Sequence, residues 1–317
     1  MTVTNSGHIL ILALLMAVSP TSAQESKVYP DATQEFKLTA NAELVLLDVG
    51  VKDPKGGYVS DLKKENFKIY ENGKLQTISD FASEDVPVTV GLVIDNSGSM
   101  QMKRPEVIAA ALAFIHASNP NDEVFVTNFN DRVSPGLPPD TPFSDDPKKL
   151  QSALATGRAE GKTALYDALL LSLQHLEAGK RDKKTLVLVS DGGDNASTHT
   201  FKDLMPAVRR SRATIYSIGI FDESDPDSNP GLLRRLAGVS GGEAFFPKEL
   251  PELTRICRQI AKDIRNRYTI GYVPVRADEK SALRTIKLIV TTTNRQKLII
   301  HARTSYLLPE SSGMARR

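Results

Sequence analysis

Cysteine and tryptophan are nearly missing from this chain: one cysteine, Cys257, and no tryptophan in 317 residues. A single thiol makes no internal disulfide, so an exported fold would be held by its core alone. Cys257 lies in the helix-like stretch Leu253–Ile260 without a His or second Cys nearby, which reads as a half-buried small residue. An excess of one charge is also lacking. The 40 Lys and Arg against 38 Asp and Glu leave a formal charge of +2, which argues against a dedicated nucleic-acid surface. The sequence has no H-E-x-x-H, no P-loop and no dinucleotide glycine pattern. The five histidines, His8, His116, His175, His199 and His301, are scattered rather than clustered. Gly238–Gly242 does satisfy G-x-S-x-G, but a helix-like segment precedes it and a strand-like one follows, the reverse of a nucleophile elbow.

Long apolar runs are scarce too. His8–Val18 is too short to cross a bilayer comfortably, and no later stretch reaches the roughly 18 apolar residues a span requires. Small residues follow that run at Ser19-Pro20-Thr21-Ser22-Ala23, so residues 1–23 read as a secretory signal, with no membrane span after its cleavage. No Lys or Arg precedes the run, which leaves an uncleaved N-terminal anchor as the alternative. Residues 24–37 form a polar, flexible leader and residues 309–317 a disordered tail.

The chain is organised around Val90–Met100. Val90-Gly91-Leu92-Val93-Ile94 has no polar alternation, as expected of a strand covered on both faces, and it stops at Asp95. Asp95, Ser97 and Ser99 then offer only oxygen atoms, the ligands that hard divalent cations take. Alone, this pattern reads equally as an acidic turn capping the next helix. Two later stretches bear on it. Gly161-Lys162-Thr163 places a threonine just before a helical pattern, and Thr185–Ser190 is a second buried strand that runs into Asp191.

These three segments, in this order and spacing, resemble the von Willebrand factor type A (VWA) domain, whose metal-ion-dependent adhesion site reads D-x-S-x-S, then T, then D. The resemblance implies a metal centre at Asp95, Ser97, Ser99, Thr163 and Asp191. The ion is expected to be Mg²⁺, with Mn²⁺ or Ca²⁺ possible on ligand type. In the resembled domain the aspartates often act through water, which leaves an electrophilic cation with an open position for a carboxylate oxygen of a partner's Asp or Glu.

From residue 86 to 267 strands and helices alternate, which predicts an α/β fold with a doubly wound, Rossmann-like parallel sheet. Asn130–Asp146 reads as a long loop within it. Residues 38–83 and 268–308 instead read as strands and turns, with Asp53–Gly57 and Asn72-Gly73 as turns. Neither flank is long enough to build a core alone. They are therefore expected to pair into one small discontinuous β-sandwich into which the VWA domain is inserted. The stretch Asn66-Phe67-Lys68-Ile69-Tyr70-Glu71-Asn72-Gly73-Lys74-Leu75-Gln76 resembles the leader of acidobacterial-type VWA-related proteins, with Asn66 in place of an acid. Arg255, Arg258, Lys262, Arg265 and Arg267 read as a solvated basic helix face. The acidic run 222–227 reads as a polar connection at the rim of the metal site.

The function expected is an exported, non-enzymatic adhesion or protein-binding module. The alternatives are a scaffold of an envelope complex in which the metal only stabilises loops, or a metal-dependent hydrolase, for which no second catalytic group is visible.

Overall fold

The computed structural model describes residues 44–221, 226–275, 281–292 and 297–308. The expected signal 1–23, leader 24–37 and tail 309–317, and most of the acidic run 222–227, lie outside the described residues.

Four strands open the chain, β1 (Val45–Lys52), β2 (Phe67–Glu71), β3 (Lys74–Gln76) and β4 (Ile78–Ala82). The α/β unit follows as β5 (Val88–Asp95), α1 (Arg104–Ala117), β6 (Glu123–Phe129), β7 (Val133–Pro135), α2 (Pro147–Ala155), α3 (Leu165–Glu177), β8 (Lys183–Ser190), α4 (Phe201–Arg210), β9 (Thr214–Gly219), α5 (Pro230–Ser240), β10 (Ala244–Phe245) and α6 (Glu252–Arg265). Strands return as β11 (Arg267–Tyr272), β12 (Leu283–Val290), β13 (Ile299–His301) and β14 (Ser305–Leu307).

The central sheet has the order β10-β9-β8-β5-β6-β7. All eight residues of β5 are buried, which is why Val90–Ile94 shows no alternation: helices cover both of its faces. One helical group is α1 against α2 and α6; the other is α3, α4 and α5. The expected parallel sheet is in fact mixed. Val133–Pro135, within the stretch read as a loop, folds back antiparallel on β6 with Phe129 opposite Val133. Pro135 is tolerated there because β7 is an edge strand with one unpaired side.

Both flanks supply strands to each of two antiparallel sheets, β13-β1-β11-β4 and β14-β12-β2-β3. Their shared core holds Leu47, Val49, Val51, Phe67, Ile69, Tyr268, Ile270 and Tyr272, with the Phe67 ring 5.1 Å from that of Tyr268. Asn72 (φ 48°) and Gly73 (φ 81°) make the tight β2–β3 hairpin turn that the Asn-Gly pair predicts. Gln76–Phe81, which alternates in sequence like one strand, is split instead. Gln76 pairs with Ile69 in one sheet and Ile78 with Tyr272 in the other, so the chain changes sheets at Thr77.

The two parts meet over buried ions that composition does not reveal. Arg267, expected on a solvated helix face, is the first residue of β11 and only 4% exposed. The helix ends at Arg265, and the guanidinium two residues on turns inward. It donates to the Tyr216 hydroxyl (3.0 Å) and to the carbonyls of Asp48 (2.8 Å), Gly241 (2.7 Å) and His301 (3.2 Å). Lys52 Nζ, on β1, lies 2.7 Å from both Glu243 Oε2 and Asp263 Oδ2. Glu243 and Asp263 belong to the α/β unit, so Lys52 ties the sandwich to it.

Two predictions follow from this burial. Lys52→Met leaves the buried Asp263 uncompensated and should cost about 3–5 kcal/mol in urea unfolding, whereas Lys52→Met combined with Asp263→Leu should recover part of that loss. A double variant no more stable than the single one would show that the pair contributes nothing through charge. Cys257 is fully buried, beyond the half-burial expected, and burial pushes its thiol up to about 12. A disulfide reagent at neutral pH should therefore label it only after denaturation.

Candidate metal centre

Two parallel strands deliver most of the centre at their carboxyl ends, β5 stopping at Asp95 and β8 at Ser190, with β6 ending beside β5 at Phe129. Beyond Asp95 the chain passes through extended Ser97 (φ −66°, ψ 167°) into a 3₁₀ turn, Gly98–Lys103. Ser97 occupies the cap position of that turn, yet its side chain makes no capping bond. That removes the plain helix-cap explanation of D-x-S-x-S. Instead the Ser97 and Ser99 hydroxyls lie 3.1 Å apart, and Ser99 Oγ donates to Asp191 Oδ2 at 2.6 Å.

Each carboxylate is held by the strand ends themselves. Asp95 Oδ1 accepts from the Ser97 N–H (2.8 Å) and Oδ2 from Ser190 Oγ (2.6 Å). Asp191 Oδ1 accepts from the Gly193 N–H at 3.0 Å. Gly192 between them has φ +82°, and a Cβ there would come within 2.6 Å of the Asn229 carbonyl, so only glycine fits this turn. Thr163 arrives on a separate loop. Its N–H donates to Asn195 Oδ1 (2.9 Å), and its carbonyl accepts from the N–H groups of Asn195 and Ala196.

Ser97, Ser99, Thr163 and Asp191 line one cleft of ≈ 190 Å³, with Gly161, Lys162, Gly193, Asn195 and Asp227 around them. Asp95 is not among the lining residues; it is buried, as are Ser97 and Asp191. Five residues separated by up to 96 positions in the chain thus meet at one sheet end, four of them lining the cleft.

The donors are hydroxyl and carboxylate oxygens only, a set that fits a hard divalent cation. Among the described residues no group of three or more His, Cys, Asp or Glu side chains could hold a metal, so any centre here depends on its hydroxyls. The electrostatics point the same way. Burial pushes Asp95 up to about 6, with repulsion from Asp191 adding to it and the bonds from Ser190 and Ser97 opposing it. Ionising Asp95 beside Asp191 is unfavourable without a positive charge at hand.

Several contributors were not singled out from sequence. Ser190, directly before Asp191, holds Asp95. Asn195 holds the Thr163 loop, and its Nδ2 donates to Asp227 Oδ2 at 2.9 Å. The short spacing Asp191–Asn195 was the available signal. His199 is bonded to Asp167 (2.8 Å), remains 56% exposed and does not line the cleft. Ser240 of the G-x-S-x-G stretch ends α5, is 3% exposed and donates to the Leu236 carbonyl at 2.8 Å while accepting from the Ile215 N–H, a packing role.

The fold and this strand-end cleft define an α/β domain of the doubly wound class with a hydroxyl-rich centre. Residues 90–193, about a third of the chain, match the model of the von Willebrand factor type A domain. An uncharacterised protein of the cyanobacterium Synechocystis is 24% identical over 184 residues, 57% of this chain and 42% of that protein, so the chain matches less than half of that relative. Among solved structures, a von Willebrand factor type A protein from Catenulispora acidiphila superposes with a TM-score of 0.51 at 15% identity, covering 86% of this chain and 76% of that one. Proximal thread matrix protein 1 of the mussel byssus gives a TM-score of 0.50 at 15% identity over 61% of this chain and 50% of that one. At these identities the likeness is one of fold. VWA domains are typically protein-interaction modules and generally not enzymes.

The Asp95 carboxyl sets a pH dependence for the cation-free protein. In the native state it keeps its proton to about pH 6, while in the unfolded chain it ionises near the ordinary 3.8. The native state therefore binds more protons between those values, and stability is lost as pH rises through that window. Urea unfolding in chelator should show the difference between wild type and Asp95→Asn shifting by about 2 kcal/mol from pH 4 to pH 7. A pH-independent difference would contradict the buried, strained carboxylate.

Proposed function

We propose that this chain is an exported protein-binding module that holds one divalent cation at Asp95, Ser97, Ser99, Thr163 and Asp191. The observation that carries this reading is the cleft itself. Three hydroxyls and two carboxylates, Asp191 and Asp227, line it, while the Asp95 carboxylate is absent from the lining and occupied by Ser190 and Ser97. When bound, the cation supplies an electrophilic position for a carboxylate oxygen of an Asp or Glu on a protein partner. The protein's own residues orient it: Ser99 and Asp191 join the first and third segments, and Asn195 sets Thr163 against them. Mg²⁺ suits small hydroxyl-rich sites best, with Mn²⁺ and Ca²⁺ as substitutes. Export rests on the apolar run His8–Val18 and the small residues after it. Among the described residues no helix is long and apolar enough to cross a membrane.

One observation favours a second reading, a scaffold that binds through the sandwich. Leu75, on the edge strand β3, is 58% exposed and Val275 64%. In that case the cation would only stabilise loops.

Thermal unfolding separates these readings when combined with binding to immobilised acidic peptides. Mg²⁺ at about 100 times its dissociation constant should stabilise wild type by roughly 2.7 kcal/mol, several degrees, relative to chelator. Asp95→Ala and Ser99→Ala should abolish the shift, and peptide capture should disappear in chelator. A shift without cation-dependent capture of any carboxylate-bearing partner would favour the scaffold.

A further inference from the structure

The residue between Asp95 and Ser97 has no role in the proposed centre, yet its side chain makes three hydrogen bonds beside it. Asn96 is 2% exposed. Its Oδ1 accepts from Arg104 Nε at 3.0 Å, and its Nδ2 donates to Asn128 Oδ1 (3.0 Å) and to the Ile94 carbonyl (3.3 Å). Its backbone is equally committed, the N–H donating to the Phe129 carbonyl (2.6 Å) and the carbonyl accepting from the Glu160 N–H (3.0 Å).

The amide orientations in this chain of bonds follow from its two ends. Asn128 Nδ2 donates to the Ala153 carbonyl (2.9 Å) and Thr156 Oγ1 (3.2 Å), so its Oδ1 must face Asn96. At the other end a guanidinium can only donate, so Asn96 Oδ1 must face Arg104. Flipping either amide would set donor against donor and acceptor against acceptor in a buried site.

Arg104 closes the circuit. Its Nη2 donates to the carbonyls of Leu154 (3.1 Å) and Ala155 (3.2 Å), the terminal carbonyls of α2, which lack partners within their own helix. The favourable charge at a helix carboxyl end adds to these bonds. From that end the chain runs through residues 156–163 to Thr163. On the way, Gly157 approaches so closely that a Cβ would lie 2.5 Å from Asn96 Nδ2, and the Gly161 carbonyl accepts from the Gly98 N–H at 3.1 Å. One guanidinium is thus bonded to the Asp95–Ser99 loop through Asn96 and to the root of the Thr163 loop through α2.

We propose that Arg104, acting through Asn96, is a positioning residue of the cation centre: it sets the separation between the Asp95–Ser99 loop and the Thr163 loop, and thereby the cation affinity. This rests on the cation reading above. A guanidinium suits the role because its planar fork reaches an amide oxygen and two carbonyls at once, whereas an ammonium is a single point. Outer partners of metal ligands typically influence affinity by about 10–100-fold.

The test compares wild type with Arg104→Met, Arg104→Lys and Thr156→Val in the full chain. Mg²⁺ affinity is read by calorimetry and amide hydrogen exchange is followed in chelator. Arg104→Met should weaken Mg²⁺ binding about tenfold or more. It should also speed exchange at the Gly98 and Glu160 amides relative to those of β5. Arg104→Lys should recover only a minor part of the affinity. Thr156→Val, which removes the exposed residue's hydroxyl from Asn128 Nδ2, should weaken binding less and in the same direction. The proposal is overturned if Arg104→Met binds Mg²⁺ within about twofold of wild type. It is also overturned if Gly98 and Glu160 exchange only as fast as the whole molecule unfolds, which marks a general structural role. Wild type that binds no Mg²⁺, Mn²⁺ or Ca²⁺ overturns the cation reading itself, and this proposal with it.

Discussion

A strand sealed on both faces has one place for polar chemistry, its end, and this constraint organises the molecule. No residue of β5 is exposed. Its first break in apolar character, Asp95, therefore falls where the strand leaves the sheet and the helices no longer cover it. The 2.6 Å bond from Ser190 Oγ to Asp95 then couples the ends of adjacent strands β5 and β8. Because parallel strands run in one direction, the segments that follow β5 and β8 must emerge on the same side, which brings Ser97, Ser99 and Asp191 together without any contact between them in sequence. The Thr163 loop enters the same edge because α3 starts there, its opening turn capped by Asp194 and Ser197 through the Tyr166 and Asp167 N–H groups.

The opposite end of the sheet follows a different logic. There the α/β unit meets the sandwich, and charge is buried rather than displayed. Arg267 is bonded to carbonyls and a hydroxyl from four segments, and Lys52 to two carboxylates. Buried ions of this kind stabilise little against a well-packed apolar alternative, but losing either partner leaves the other buried and uncompensated. We read them as the element that fixes how the inserted unit sits on the discontinuous sandwich, while the sandwich core of Leu47, Ile69, Tyr268 and Ile270 supplies its own cohesion.

This division explains what could be read from sequence. Periodicity reports burial on one face or two, so β5, β8, β9 and the helices α1, α3, α5 and α6 were legible, as was the Asn72-Gly73 turn, whose positive φ angles need those residue types. D-x-S-x-S and Asp191 stood out because each follows the abrupt end of an apolar strand, and Thr163 because it precedes a helical pattern; it is the family resemblance that joins the three. What escaped were features set by long-range partners. Val133–Pro135 has no strand periodicity and is a strand only because β6 offers it a free edge. Gln76–Phe81 alternates smoothly, and nothing local marks Thr77 as the crossing between sheets. Arg267 continues the spacing of basic residues on α6 and differs from Arg265 only in what surrounds it after folding, as Asn96 differs from any turn asparagine only through Arg104 and Asn128.

The distribution of negative charge at the cleft bears on what the proposed centre would bind. If Asp95 and Asp191 both faced the cleft directly, they would largely neutralise a divalent ion and leave little attraction for a third anion. Instead Asp95 is absent from the cleft lining and already accepts two hydrogen bonds, Asp191 accepts from Ser99 and the Gly193 N–H, and the other three proposed ligands, Ser97, Ser99 and Thr163, are neutral hydroxyls. Such an arrangement favours recognition of an anionic ligand over tight retention of the ion by itself, because part of the cation's charge is left for the ligand to satisfy. Lys162 and Asp227, the latter bonded to Asn195, give the cleft lining charges of both signs. A partner carboxylate alone would use only part of that lining. A peptide carrying further charged groups beside its acid would engage more of it, which is the chemistry of a protein ligand rather than of a free carboxylic acid.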